Sequence, residues 1–274
     1  MTTDPPHVDI LLLGSGWTST FLTPLLTQLS LTHALTSRSG SPSTIPFTFD
    51  PTSTDPTPFT HLPPATTVLI IFPLRGAEAT KALVSLYTQT HPNTPANFIQ
   101  LGSTGIWTAP GRTTRHSPYD TTNARAVAED ALLALGGAVL NLAGLWGGER
   151  DPRNWVDRVA ATKEALRGKE SLHVVHGADM AWAVVSLMRR FTPGERWIVS
   201  DMRVYDWWDL ASAWGAGGAG REKKGEQMEW VLEMMEEGGV GALPRGGEGW
   251  RRLECADFWR MAGRGPLIRL DFSG

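Results

Sequence analysis

The apolar run Val8-Asp9-Ile10-Leu11-Leu12-Leu13 passes straight into Gly14-Ser15-Gly16, and then into Trp17 to Leu29, where apolar residues recur at helical spacing. A buried strand that hands over to a helix through glycines restricts the chain more than any other feature of the sequence. Gly14 permits the tight turn, and Gly16 lets backbone come close to a diphosphate whose charge the first amides of the helix would meet. Ser19 stands where a third glycine is usual, and is small enough to keep helix and strand in close contact. The competing reading is an ordinary glycine-containing βα turn. His33 to Thr36 then reads as a second strand, so the chain opens as a β-α-β unit.

The same alternation continues. Val68-Leu69-Ile70-Ile71-Phe72, ending at Pro73, and Phe98-Ile99-Gln100-Leu101, ending at Gly102, read as strands buried on both faces. Ala77 to Tyr87 supplies a crossover helix between them, and Asn123 to Leu135 supplies another before Val139-Leu140-Asn141-Leu142. Ile45 to Phe49, within a Ser-, Thr- and Pro-rich stretch, reads as an irregular or edge strand. Strands alternating with helices predict an α/β fold, a doubly wound parallel sheet of the Rossmann type.

Further on, Trp155 to Leu166 and Ala178 to Met188 read as helices bracketing a strand from Leu172 to Val175, and Trp197 to Val199 as one more strand. Trp214 to Trp250 is Gly-rich and charged, with a helix expected from Glu222 to Glu236 and a solvated start at Arg221-Glu222-Lys223-Lys224. The expected division is a cofactor-binding domain over residues 1–210, with parts of a substrate lobe inserted after about 145, and a small C-terminal lobe over 211–274.

Hydrophobic residues make up 41% of the 274, charged residues 19%, and the formal charge is -3. That balance describes a globular chain with no basic field to attract nucleic acid. No apolar run approaches the length of a membrane span, and the N-terminus lacks the basic segment of a signal peptide. Cys255 is the single cysteine, which excludes an internal disulfide or a multi-thiolate zinc site and fits a reducing compartment. The expectation is a cytoplasmic monomer or homodimer with a small-molecule substrate, no nucleic-acid or membrane partner, and no metal.

At the end of the second strand, where a carboxylate would hold a ribose 2′-hydroxyl, the chain reads Thr36-Ser37-Arg38-Ser39. A guanidinium flanked by hydroxyls suits a 2′-phosphate, so NADP(H) is expected over NAD(H). The bland reading is that Arg38 is a solvated loop charge.

Five segments in order carry a family resemblance: Gly14 to Ser19; Gln100-Leu101-Gly102-Ser103-Thr104-Gly105-Ile106-Trp107; Asn141 to Gly147; His173 to Ala181; and Val199-Ser200-Asp201. Over most of its first 210 residues the chain resembles the extended or atypical short-chain dehydrogenase/reductases, including the NAD-dependent epimerase/dehydratase-like proteins. The resemblance implies a cofactor site built from Gly14, Gly16, Trp17, Thr18, Ser37, Arg38, Phe72, Pro73, Ser103 and Arg125. It also implies substrate-facing hydroxyls at Ser103 and Thr104, for which a strand-end cap is the alternative.

The chain departs from that family at the Tyr-x-x-x-Lys pair. Aligning Glu129 with the acidic residue that follows the family lysine puts Thr121 and Arg125 at the two positions; aligning on Tyr119 puts Asn123 at the second. An aliphatic hydroxyl is a poor proton donor beside a phenol, and arginine anchors ribose without offering an exchangeable proton. The expected catalytic set is therefore Ser103, Thr104, Tyr119, Thr121 and Arg125, with Tyr119 serving only if the helix begins after it.

His173 and His176 fall on opposite faces of a strand and are not expected to chelate. Of the 12 tryptophans, most are expected in the core, while Trp107 and Trp146 are candidates to wall a substrate. Three functions follow from the resemblance: an NADP(H)-dependent oxidoreductase on a small carbonyl or sugar-like substrate; a cofactor-binding sensor without redox turnover; and a nucleotide-sugar epimerase or dehydratase, for which no acid/base pair is found.

Overall fold

The computed structural model describes residues 5–215, 226–247 and 249–271. Seven strands form the central sheet: β1 (Val8–Leu13), β2 (His33–Ser37), β3 (Ile45–Pro46), β4 (Ala65–Ile70), β5 (Asn97–Ser103), β6 (Ala138–Leu142) and β7 (Arg196–Val199). They lie in the order β7-β6-β5-β4-β1-β2-β3, and every neighbouring pair is parallel. The strand order reverses between β1 and β4, the crevice where such sheets bind ligands beyond their carboxyl ends.

Both faces of the sheet are covered, which is why its central strands are mostly apolar on both faces. Along β1 the side chains alternate: Ile10 and Leu12 join one core, Leu11 and Leu13 the other. Helices α1 (Trp17–Gln28) and α4 (Gly177–Arg189) pack on the first face, and α2 (Ala77–Thr90) and α3 (Ala124–Ala134) on the second. Asn123 caps α3 by accepting the Arg125 amide.

The second half departs from the sequence reading in detail. The helix expected over 155–166 is broken into Val156–Val159 and Lys163–Arg167, because Thr162 caps the second piece and interrupts the ladder. The strand expected over 172–175 is two short ones: Ser171–Leu172 pairs with Tyr205–Asp206, and Val174–His176 runs parallel to Gly144–Trp146. The edge strand expected over 45–49 closes after Pro46, and Phe47 turns into the core.

A third apolar cluster gathers Val156, Leu166, Trp208, Trp214, Val231, Met234 and Leu270 around α5 (Trp207–Trp214) and α6 (Gln227–Gly238). The helix expected from Glu222 begins, among the described residues, at Gln227; the charged run 221–224 and residue 225 lie outside them. Helix α7 (Ala256–Ala262) returns to the main core through Phe258 and Trp259. Asp179 accepts the Leu267 and Ile268 amides and so ties the C-terminal segment to α4. Among the described residues, no helix is long and apolar enough to cross a membrane.

His173 sits between the two short strands, 3% exposed, with Nε2 accepting the Leu253 amide. His176 instead packs its ring edge-on against Phe21 and Trp146. Burial pulls the His173 imidazole down to about 4. The folded state therefore favours the neutral ring, so its contribution is full above the unfolded value near 6.5 and is lost as pH falls from there through about 4. The full loss is about 3 kcal/mol at 1.36 kcal/mol per pKa unit. Asp201, held up near 6 by burial, has the opposite sign: its contribution is present below the ordinary aspartate value and is lost as pH rises through about 6. Denaturant unfolding at pH 7 and pH 4.5 is expected to show wild type losing about 2 kcal/mol more than His173→Asn. Equal losses would remove the role given to His173.

Candidate cofactor cleft

The backbone after β1 is built for close approach. Gly14 has φ 105°, and its amide donates to Thr36 Oγ1 at 2.8 Å, which joins the ends of β1 and β2. Gly16, with φ 146° and ψ -151°, occupies a region that is essentially closed to other residues. A Cβ on Gly16 would meet nothing within 4 Å, so the space in front of the first turn of α1 is open. Ser19 plays the part expected at the third glycine position: it stays small and locks the turn, its hydroxyl donating to Gly16 O while accepting the Gly16 amide.

Two clefts meet at Ser15 over the carboxyl ends of the strands. The first, about 550 Å³, is lined by Gly14, Ser15, Thr36 to Ser39, Phe47 to Phe49 and Phe72. The Phe49 and Phe72 rings stack at 6.2 Å and form an apolar wall, while Arg38 lies exposed at the mouth. Among the described residues, no carboxylate lines this cleft. The second, about 340 Å³, is lined by Ser15 to Thr18, Ile71, Leu101, Gly102, Arg125, Leu142, Leu145 and Arg150. Its cations are Arg125 and Arg150, and among the described residues no carboxylate lines it and the buried Arg125 Nε has no hydrogen-bond partner.

The cofactor set read from the sequence divides here. Gly14, Gly16, Trp17, Thr18, Ser37, Arg38, Phe72 and Arg125 line the two clefts. Pro73 is exposed and lines neither. Ser103 and Thr104 are not on the wall, which at that strand end is made by Leu101 and Gly102. The Ser103 hydroxyl accepts the Gly105 amide as a cap, and Thr104 is buried with its carbonyl taken by Arg251.

Tyr119 lines neither cleft. Helix α3 begins after it, at Ala124, but its hydroxyl donates to Asp130 at 2.7 Å and its ring lies under the Arg196 guanidinium at 4.3 Å. Arg196, the first residue of β7, also donates Nη2 to Asp130 at 2.7 Å, and it too lines neither cleft. Burial and the Asp130 carboxylate raise the phenol further, against proton donation near neutral pH. Thr121 is exposed on the approach to α3 and lines neither cleft. Trp107, 1% exposed, is core rather than substrate wall, with Nε1 donating to Ser117 O. Trp146 packs against His176 and the third cluster.

Glu129 has a structural role. Its buried carboxylate accepts from Asn141 Nδ2 at 2.7 Å and from the Ser103 amide, and burial holds it above the usual glutamate range. A Cβ on Gly102 would lie 2.5 Å from its Oε1, so the glycine is needed for the close approach. Residues that the linear reading missed are Ser15, Phe49, Leu145 and Arg150. Ser15 and Leu145 fall inside segments marked in the sequence, but no local pattern marks Phe49 or Arg150, which distant parts of the chain bring to the clefts.

A parallel sheet in this order, with a glycine turn at its switch point and clefts on both sides, defines the Rossmann dinucleotide-binding class of fold. Within it, the chain has the fold of the NAD-dependent epimerase/dehydratase and short-chain dehydrogenase/reductase-like proteins. Vestitone reductase from alfalfa (Medicago sativa) superposes with a TM-score of 0.68 at 14% identity, covering 98% of this chain and 96% of that one. The dTDP-glucose 4,6-dehydratase of Bacillus anthracis, solved in complex with NAD, gives 0.62 at 13% identity over 98% and 94%. RMD from Pseudomonas aeruginosa, complexed with NADPH, gives 0.62 at 12% over 97% and 96%. Neither the protein-family models nor the curated proteins compared with the sequence match it.

Proposed function

We propose that the protein binds NADP(H) across the β1–β4 switch point and holds it without a side-chain general acid. The observation that carries this reading is the pair of clefts meeting at Ser15, cationic and, among the described residues, free of carboxylates, on either side of an open glycine turn. Thr36, Ser37 and Arg38 would take the adenosine ribose and its 2′-phosphate, the α1 amides the diphosphate, and Arg125 the nicotinamide ribose. The NAD and NADPH bound to the proteins of like fold support a nicotinamide dinucleotide; Arg38 supports NADP(H). When bound, such a cofactor gives or accepts a hydride at its nicotinamide.

Beyond the phosphate turn the polar side chains lining the second cleft are Ser15, Thr18, Arg125 and Arg150. None exchanges a proton readily near neutral pH. This supports the sensing or carrier reading over the epimerase and dehydratase reading, which needs an acid and a base. The unpartnered Arg125 Nε supports a second reading, a reductase of small carbonyl compounds in which the guanidinium stabilises the developing alkoxide and solvent supplies the proton. On either reading, residues 1–210 would hold the cofactor. Residues 211–274 would shape the substrate side together with the strand pairing of 252–253 on 112–113.

Calorimetric titration is expected to give at least tenfold tighter binding of NADPH than NADH, and Arg38→Ser to narrow that ratio to about threefold, as loss of a charge-assisted contact predicts. No heat with either nucleotide at millimolar concentration would overturn the proposal. Tight binding with no NADPH oxidation across a carbonyl panel supports the sensor. Oxidation lost in Arg125→Met supports the reductase.

A further inference from the structure

Arg150 belongs to a turn far from the phosphate-binding glycines in sequence and docked on them in space. Residues 147–150 close a tight turn, with the Gly147 amide donating to Arg150 O at 2.9 Å and the Arg150 amide to Gly147 O at 3.1 Å. Gly147 and Gly148 both carry positive φ, as the turn requires. Trp17, the residue after Gly16, fixes the turn in place by donating its indole Nε1 to Gly147 O at 2.8 Å. The Arg150 guanidinium then lies 4.4 Å over the Trp17 ring. Asp151 next to it is engaged by Arg153, and among the described residues no carboxylate pairs with Arg150.

An arginine stacked on an indole keeps its planar fork oriented while its N–H donors stay free for an acceptor. Here the fork borders the cleft that also receives Ser15, Gly16, Thr18 and Arg125. We propose that Arg150, seated on Trp17, forms the second wall of the diphosphate site, facing the α1 amides across the cleft. Its ligand class is the pyrophosphate bridge of a dinucleotide. This inference rests on the NADP(H) reading above and adds a residue on a different segment to it. The Trp17 indole is then both the first residue of the binding helix and the platform that positions the cation.

The test uses four ligands that sample different parts of the cleft. Binding of NADPH, NADH, ADP-ribose and 2′,5′-ADP is measured by calorimetry for wild type and Arg150→Met, with thermal unfolding of both as a folding check. Arg150→Met is expected to weaken NADPH, NADH and ADP-ribose, which carry the diphosphate, about ten- to hundredfold. It is expected to weaken 2′,5′-ADP, which carries only the adenosine-side phosphate of the bridge, by less, within about threefold, and to flatten the salt dependence of NADPH binding. Arg150→Lys keeps the charge and is expected to recover part of the affinity, which also serves if the methionine variant folds poorly. Unchanged affinity for all four ligands, or an equal loss for 2′,5′-ADP, would overturn the inference while leaving the dinucleotide reading intact. Failure of wild type to bind any of the four would overturn both.

Discussion

Gly16→Val is expected to weaken NADPH binding by more than a hundredfold while lowering the melting temperature only modestly. At φ 146° and ψ -151° a residue with a Cβ carries about 1–3 kcal/mol of backbone strain. More damaging for binding, the added side chain would project into the open space before the first turn of α1, where a diphosphate would lie against the amides. Steric exclusion and a displaced turn act on the same ligand group, so the effect should appear equally with NADPH and NADH. Because nothing lies within 4 Å of the new Cβ, the core does not have to adjust. Titration of the folded variant checks this; near-wild-type affinity would show that the ligand does not approach the glycine turn.

Asp206→Ala is expected to cost about 3–5 kcal/mol of stability, the usual penalty for stranding a buried charge. The Asp206 carboxylate is fully buried. It accepts the Trp208 amide that starts α5, the Arg245 amide, and the Arg245 Nε and Nη2, the last at 2.6 Å. Arg245, its side chain 15% exposed, is stacked 3.8 Å from Trp208 and also faces Trp250. Truncation leaves that guanidinium without its counter-charge among apolar rings and removes the α5 cap at once. Chemical denaturation should show a lower midpoint. The double variant Asp206→Leu/Arg245→Met should recover much of the loss, because an apolar pair removes the stranded charge instead of exposing it. A single variant within 1 kcal/mol of wild type would contradict the account.

The two experiments probe different parts of one chain. Gly16 and Arg38 belong to the opening β-α-β unit, where strand, turn and helix follow each other directly and local pattern suffices. Asp206 and Arg245 belong to the region around the third apolar cluster, where residues 169, 206, 208 and 245 meet from three segments. The surroundings of Tyr119 depend on distant residues in the same way. Its position before a helix was legible, but the direction of its ring was decided by Asp130 and Arg196, the second of them 77 residues away. The hydroxyls of Ser103 and Thr104 were placed at the right strand end. Which atoms faced the cleft depended on the capping turn at Gly105 and on the close packing of Gly102 over Glu129.

The sequence by itself determined the parallel sheet and the site of its crevice, because apolar runs buried on both faces and the glycines between strand and helix are local signals with one economical solution. Only the tertiary structure decided which side chains enter that crevice. Arg150 reaches the cleft through a hydrogen bond and a ring contact across more than 130 residues, and Tyr119 leaves it for an aspartate on the neighbouring helix. Pairings of that kind depend on the relative placement of packed elements, which periodicity along the chain does not encode.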